Sequence, residues 1–275
     1  MITRIATAAV GIPVIFYAVL FAPIWVSGIL MGTLCTIAVW EFMRAVSPVT
    51  RATEAIWPML VAFIMPFWLS VRGEGASLYT LGYWLFFALS LCMILSFRRE
   101  RRMSLAAFMA GMTSGMVMPI LITSLIRIGL RPENGRVNML LPFVIAFSCD
   151  SGAYFTGMAC GKKKLAPHLS PNKTVEGAVG GIAAAVLGSV IYGGVMAVLG
   201  WHVHFLRLIG YGLLGGVACE LGDLSFSAVK RISGIKDYGK IIPGHGGVLD
   251  RFDSMYFTAP MVEILTFWFP AVTLL

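Results

Sequence analysis

Residues 177–199 read GAVGGIAAAVLGSVIYGGVMAVL, a run of twenty-three residues without a charge. As a helix it would rise about 35 Å, enough to cross a hydrocarbon core about 30 Å thick. It shows no polar–apolar alternation, so it does not read as a barrel strand. Backbone groups in lipid must be satisfied within their own segment, which leaves a helix.

Composition extends this reading to the whole chain. Of 275 residues, 58% are hydrophobic and only 12% charged, against about 25% charged in ordinary globular domains. Mean hydropathy is +0.85. The pattern predicts an all-α polytopic integral membrane protein with about nine transmembrane helices. They fall over 5–22, 24–43, 55–71, 77–97, 104–126, 138–159, 177–199, 207–228 and 254–274. The first two are parted only by a turn near Pro23. Residues 1–22 lead at once into a second apolar run and show no small-x-small cleavage site, so they read as a span and not a cleaved leader. About five helices over 1–137 form a scaffold with lipid access. About four over 138–275 carry polar loops at 160–176 and 229–253.

Charge orients this arrangement. With nine spans, sixteen Lys and Arg fall on one side and five (Arg72, Arg127, Arg131, Arg136 and Arg207) on the other. The positive-inside rule puts the N-terminus and both polar loops in the cytoplasm. An even number of spans would spoil the split.

Acids lie where lipid should be. Asp150 is in the sixth span, Glu220 and Asp223 in the eighth, Glu263 in the ninth. An ionised group near the bilayer centre costs about 2.5–3.5 kcal/mol. Glu220, Asp223, Ser227 and Lys230 share one helix face by their spacing. Asp150 and Asp223 read as cation-site candidates ahead of structural hydrogen-bonding groups; Glu220 and Glu263 read as structural. Asp250 and Asp253 open the ninth span, where the helix dipole alone favours a carboxylate. Hard oxygen donors without clustered His or Cys point to Mg²⁺ or Mn²⁺, with a second cation allowed for, and so to a phosphorylated substrate. His202 and His204 read as solvated loop residues. Cys35, Cys92, Cys149, Cys160 and Cys219 read as small apolar residues, since no CxxC pair occurs.

The loops complete the chemistry. In the first, Lys162 to Lys164 form a cationic cluster, and SPNKTVEG (Ser170–Gly177) contains Thr174, a residue suited to cap the seventh helix. The second closes on PGHGGVLDRFDS (Pro243–Ser254). There Gly244, Gly246 and Gly247 permit the positive φ that an anion nest needs. Acids for a metal, bases for phosphate and helices for a lipid tail stand together at the membrane face.

These loops resemble those of the CDP-diacylglycerol synthases, also called phosphatidate cytidylyltransferases. SAVKRISGIKDYGKIIPGHGGVLDRFD (Ser227–Asp253) matches that family's C-terminal pattern, and DSGAYFTG with GKKKLAPHLSPNKTVEG is similar to a second block, over roughly residues 148–254 in all. Glu41, at the end of the second span, also looks family-like. The resemblance implies an enzyme making CDP-diacylglycerol and pyrophosphate from CTP and phosphatidate. It implies a homodimer in a bacterial cytoplasmic membrane, no nucleic-acid partner, and a divalent-metal centre including Asp223 and Asp250.

On that basis Asp223 and Asp250 are the expected metal ligands, with Asp150 and Asp253 as further members of the shell. Lys173, Lys230, Arg231, Lys240 and Arg251 are expected on phosphates. Ser170, Asn172, Thr174, His245, Gly246 and Gly247 are expected to shape the nucleotide pocket. An ion-coupled transporter is the rival from another class, but the polar motifs crowd into the C-terminal half and no internal repeat is found. A CTP-dependent lipid kinase is the rival enzyme, separated by its product, CDP in place of pyrophosphate.

Overall fold

The computed structural model of the protein describes residues 11, 13–47, 52–73, 82, 86–88, 90–91, 94, 104–132, 134–241 and 246–274. Among these residues, six helices are long and apolar enough to cross a membrane. They correspond to the second, third, fifth, sixth, seventh and eighth expected spans. The expected span 77–97 lies largely outside the described residues; within 5–22, residues 13–20 are helical.

The chain forms two compact units. The first comprises Met1–Leu130 and Val229–Phe252, the second Arg131–Ala228 and Asp253–Leu275.

In the first unit, α1 (Ile24–Val46) packs along α2 (Ala52–Arg72), and both meet α3 (Leu105–Gly129). Gly32 permits the close approach of α1 to α2: a Cβ there would sit 2.9 Å from the Phe63 carbonyl oxygen. Thr36 Oγ1 donates to the Gly32 carbonyl at 2.8 Å and reaches the Met59 carbonyl of α2 at 3.3 Å. Ser104 caps α3 by accepting from the Ala107 amide at 3.0 Å. One turn of α3, Thr113–Val117, is a π-helix.

In the second unit, α4 (Leu141–Cys160) and α5 (Val175–Val198) lie side by side, and α6 (Phe205–Ile232) follows. Glycine lines these contacts. A Cβ on Gly181 would lie 2.8 Å from the Cys149 carbonyl, and one on Gly216 would lie 3.1 Å from Ala185 Cβ. The small-residue pairs Gly157/Gly161, Gly177/Gly181 and Gly212/Gly216 thus serve contacts within one chain. Ser189 Oγ bridges α5 to α6 by donating to the Leu208 carbonyl at 2.8 Å.

Two features correct the purely helical expectation. The loop at 160–176 contains an antiparallel ribbon, β1 (Lys164–Ala166) with β2 (Ser170–Thr174). A second ribbon pairs β3 (His202–Val203) with β4 (Val272–Thr273). Between helices the backbone still needs partners, and short ribbons supply them. The second ribbon also shortens the ninth expected span. After the four-residue α7 (Leu249–Phe252), α8 runs Met255–Trp268, 14 residues rising about 21 Å. Pro270 disfavours helix in the residue before it, and the chain then turns into β4. Arg207 Nη1 donates to the Pro270 carbonyl at 2.7 Å and the His204 amide to the Ala271 carbonyl at 2.8 Å. Asn134 Nδ2 donates to the Val272 carbonyl. These three segments meet at one end of the second unit, and the β1–β2 hairpin occupies the other.

Candidate functional site

The hairpin of the second unit is anchored at both edges. Thr174 caps α5 as expected, its hydroxyl accepting from the Gly177 amide at 3.1 Å. Glu176 accepts from the Lys162 and Lys163 amides at 3.0 and 3.1 Å. The Thr174 side chain is therefore occupied in holding the hairpin on its helix. Ser170 pairs with Ala166 in the ribbon, and Asn172 is exposed.

Between these anchors Lys173 reaches α6. Its Nζ lies 2.6 Å from Glu220 Oε2 and 2.7 Å from Asp223 Oδ2. Burial disfavours the ammonium. Asp223 and Glu220 outweigh that by charge and hydrogen bonding, and hold Lys173 above the usual lysine range. Ser227 Oγ donates to Asp223 Oδ1 at 3.1 Å, so both oxygens of that carboxylate are engaged. Asp150 Oδ1 accepts a weak contact from Cys219 Sγ at 3.6 Å. Asp253 is buried, and its Oδ1 accepts from the Ser254 amide at 2.9 Å.

The first unit holds a separate cluster. Lys230 Nζ lies 3.0 Å from Asp250 Oδ1. Asp250 Oδ2 accepts from the Tyr238 amide at 2.9 Å and the Gly247 amide at 3.0 Å. The Lys230 ammonium lies 5.4 Å from the centre of the Tyr238 ring, which in turn stacks on Phe42 of α1. Gly246 adopts a φ of +87°, the positive value expected for a glycine in this turn. Arg231 Nη1 donates to the Ile235 carbonyl at 3.2 Å; Lys240 and Arg251 are exposed. Gly244 and His245 lie outside the described residues.

Two acids carry more than the sequence reading assigned them. Glu220 shares Lys173 with Asp223, and its place on the Asp223–Ser227 helix face was the available signal. Glu41 is 2% exposed and accepts from the Val248 and Leu249 amides at 3.1 and 2.8 Å. Its signal was only an acid ending an apolar run.

Among the described residues, no three His, Cys, Asp or Glu side chains converge as a ready metal cage. Asp150, Glu220 and Asp223 are carboxylates of the kind Mg²⁺ takes as ligands, and Lys173 bridges the last two.

A chain of apolar helices whose ionisable residues pair in polar ribbons and turns is a helical membrane protein with a charged site. It belongs to the Cytidylyltransferase family, whose model matches residues 2–269. It is 47% identical over 122 residues to a phosphatidate cytidylyltransferase of Bacillus subtilis (strain 168), covering 44% of each chain. It is 44% identical over 131 residues to a phosphatidate cytidylyltransferase of Brucella suis biovar 1, covering 47% of each. It is also 40% identical over 129 residues to the uncharacterized protein YnbB of Escherichia coli (strain K12), covering 47% of this chain and 42% of that one. The chain thus spans about half the length of the curated relatives it matches.

Proposed function

We propose that the protein transfers the cytidylyl group of CTP to phosphatidate, giving CDP-diacylglycerol and pyrophosphate. Membership of the Cytidylyltransferase family, with relatives named phosphatidate cytidylyltransferase, carries this reading. A phosphatidate oxygen attacks the α-phosphorus of CTP, the bond to the β-phosphate oxygen breaks, and pyrophosphate leaves. A phosphomonoester has a second pKa near about 6, so no base is needed to prepare the nucleophile. The obstacle is repulsion between two polyanions. Lys173, Lys230 and Arg231 are proposed to offset it at the phosphates, as are Lys240 and Arg251, with His245, Gly246 and Gly247 proposed as nucleotide contacts. Asp223 and Asp250 are the proposed ligands of Mg²⁺ or Mn²⁺, with Asp150 and Asp253 as further ones. A bound cation would supply charge neutralisation at the transferring phosphoryl group.

The same proposal includes nine spans, cytoplasmic catalytic loops, a bacterial cytoplasmic membrane and a homodimer. The meeting of residues 134, 204–207 and 270–272 supports the sidedness, because the charge count assigns these segments to one face.

The test is pyrophosphate release from purified protein in detergent, with CTP and phosphatidate supplied singly and together, with and without Mg²⁺. Release only with all three present is expected. Release of CDP in its place would identify a kinase.

A further inference from the structure

We infer that Glu41 is a positioning residue for the proposed reaction: its carboxylate clamps the turn that carries Asp250. The inference rests on the cytidylyl-transfer reading for its consequence, though not for its geometry.

Three successive amides in the turn are claimed by two carboxylates. Gly247 donates to Asp250 Oδ2 at 3.0 Å, Val248 to Glu41 Oε1 at 3.1 Å, and Leu249 to Glu41 Oε2 at 2.8 Å. The two Glu41 bonds link positions 207 and 208 residues apart in sequence. They tie the last turns of α1, a long helix, to α7, a helix of four residues with little internal stability. Hydrogen bonds to a charged acceptor are stronger than neutral ones.

Space around the carboxylate is shaped for it. A Cβ on Gly247 would lie 2.6 Å from both Glu41 oxygens, and one on Gly239 would also strike Oε1. Two glycines from different parts of the loop thus close on the same group. Neither position needs glycine for a positive φ, unlike Gly246; both need it for the approach of Glu41. The clamp therefore fixes Asp250 from one side, while Lys230 and the Tyr238 amide hold it from the other.

The test combines hydrogen exchange and pyrophosphate release on the full chain in detergent, for Glu41→Gln and Gly247→Ala. Glutamine offers one acceptor where the carboxylate offers two, and turns an amide donor toward an N–H. Alanine at 247 displaces the carboxylate while leaving it charged. Expected for each is exchange at Val248 and Leu249 about tenfold faster or more, with α4 and α5 unchanged. Turnover should fall by about 10²-fold, as for misplacement of a catalytic group by an ångström. In a Glu41→Ala background, Gly247→Ala should add no further loss, because its methyl enters vacated space. Unchanged exchange at 248–249, or faster exchange with full turnover, overturns the inference. A variant whose exchange rises throughout has lost its fold, and the other variant then decides. Wild-type protein that releases no pyrophosphate overturns the cytidylyl-transfer reading instead, and the exchange result alone then judges the clamp.

Discussion

Two lysines, Lys173 and Lys230, sit against aspartates in different ways. Lys173 extends from a ribbon to two carboxylates of α6. Lys230 meets one carboxylate, Asp250, whose other oxygen takes two backbone amides. The first cluster sets one ammonium 2.6 and 2.7 Å from two carboxylates. The second is a one-to-one pair with both carboxylate oxygens engaged and side chains 11% and 6% exposed. The same residue types therefore meet as an ammonium shared by two carboxylates in one unit and as a one-to-one pair braced by backbone amides in the other.

The largest effect should come from the first cluster. Asp223→Asn is expected to lower pyrophosphate release by about 10²–10³-fold, the range for losing one preorganised electrostatic group. The protein should still insert and purify normally. Near-normal turnover would remove Asp223 from the ligand set.

Next is the saturated pair. Asp250→Ala leaves Lys230 buried without its carboxylate, a loss of about 3–5 kcal/mol. The melting temperature in detergent should fall clearly, and further than for Asp223→Asn. An equal or smaller fall would erase the contrast between the clusters.

The pH response of Lys173 sharpens it further. The folded-state pKa is raised, so the stabilisation is fully present below about 10.4, the unfolded value, and is lost as pH rises through the folded value. The stability difference between wild type and Lys173→Met should stay flat from about pH 6 to about 10 and shrink above that. A difference that fades near neutrality would show that the carboxylates do not hold the ammonium.

The smallest effects concern the helix seam beneath the hairpin. A methyl on Gly177 would sit 2.9 Å from Thr174 Oγ1 and 3.0 Å from the Ala153 carbonyl. Gly177→Ala should cost about 1–3 kcal/mol by overpacking and disturb the Lys173 cluster. Gly210 in α6 has nothing within 4 Å of such a methyl. Gly210→Ala should be neutral or stabilising by up to about 1 kcal/mol. Thermal melts of both variants check the pair.

Much of this was legible in the chain. Six of the expected spans are helices within a few residues of their predicted ends, because insertion depends on local apolar length. Thr174 caps α5 as its position in SPNKTVEG implied, and Gly246 takes the positive φ expected of it. The ribbons were not legible: β4 pairs with a strand some seventy residues away, and two residues make too short a pattern to read. Glu41 was visible only as an acid ending an apolar run, since its partners are backbone amides, which no side-chain pattern marks.

Sequence alone thus determined the helical class and the family motifs, both properties of local composition and spacing. The tertiary structure alone decided which carboxylate meets which lysine or amide. Lys173 and Glu220 are 47 residues apart, and Glu41 and Val248 are 207 apart. An ion pair or hydrogen bond depends on distance in space, and only the packing of helices through their glycines brings such partners within 3 Å or so.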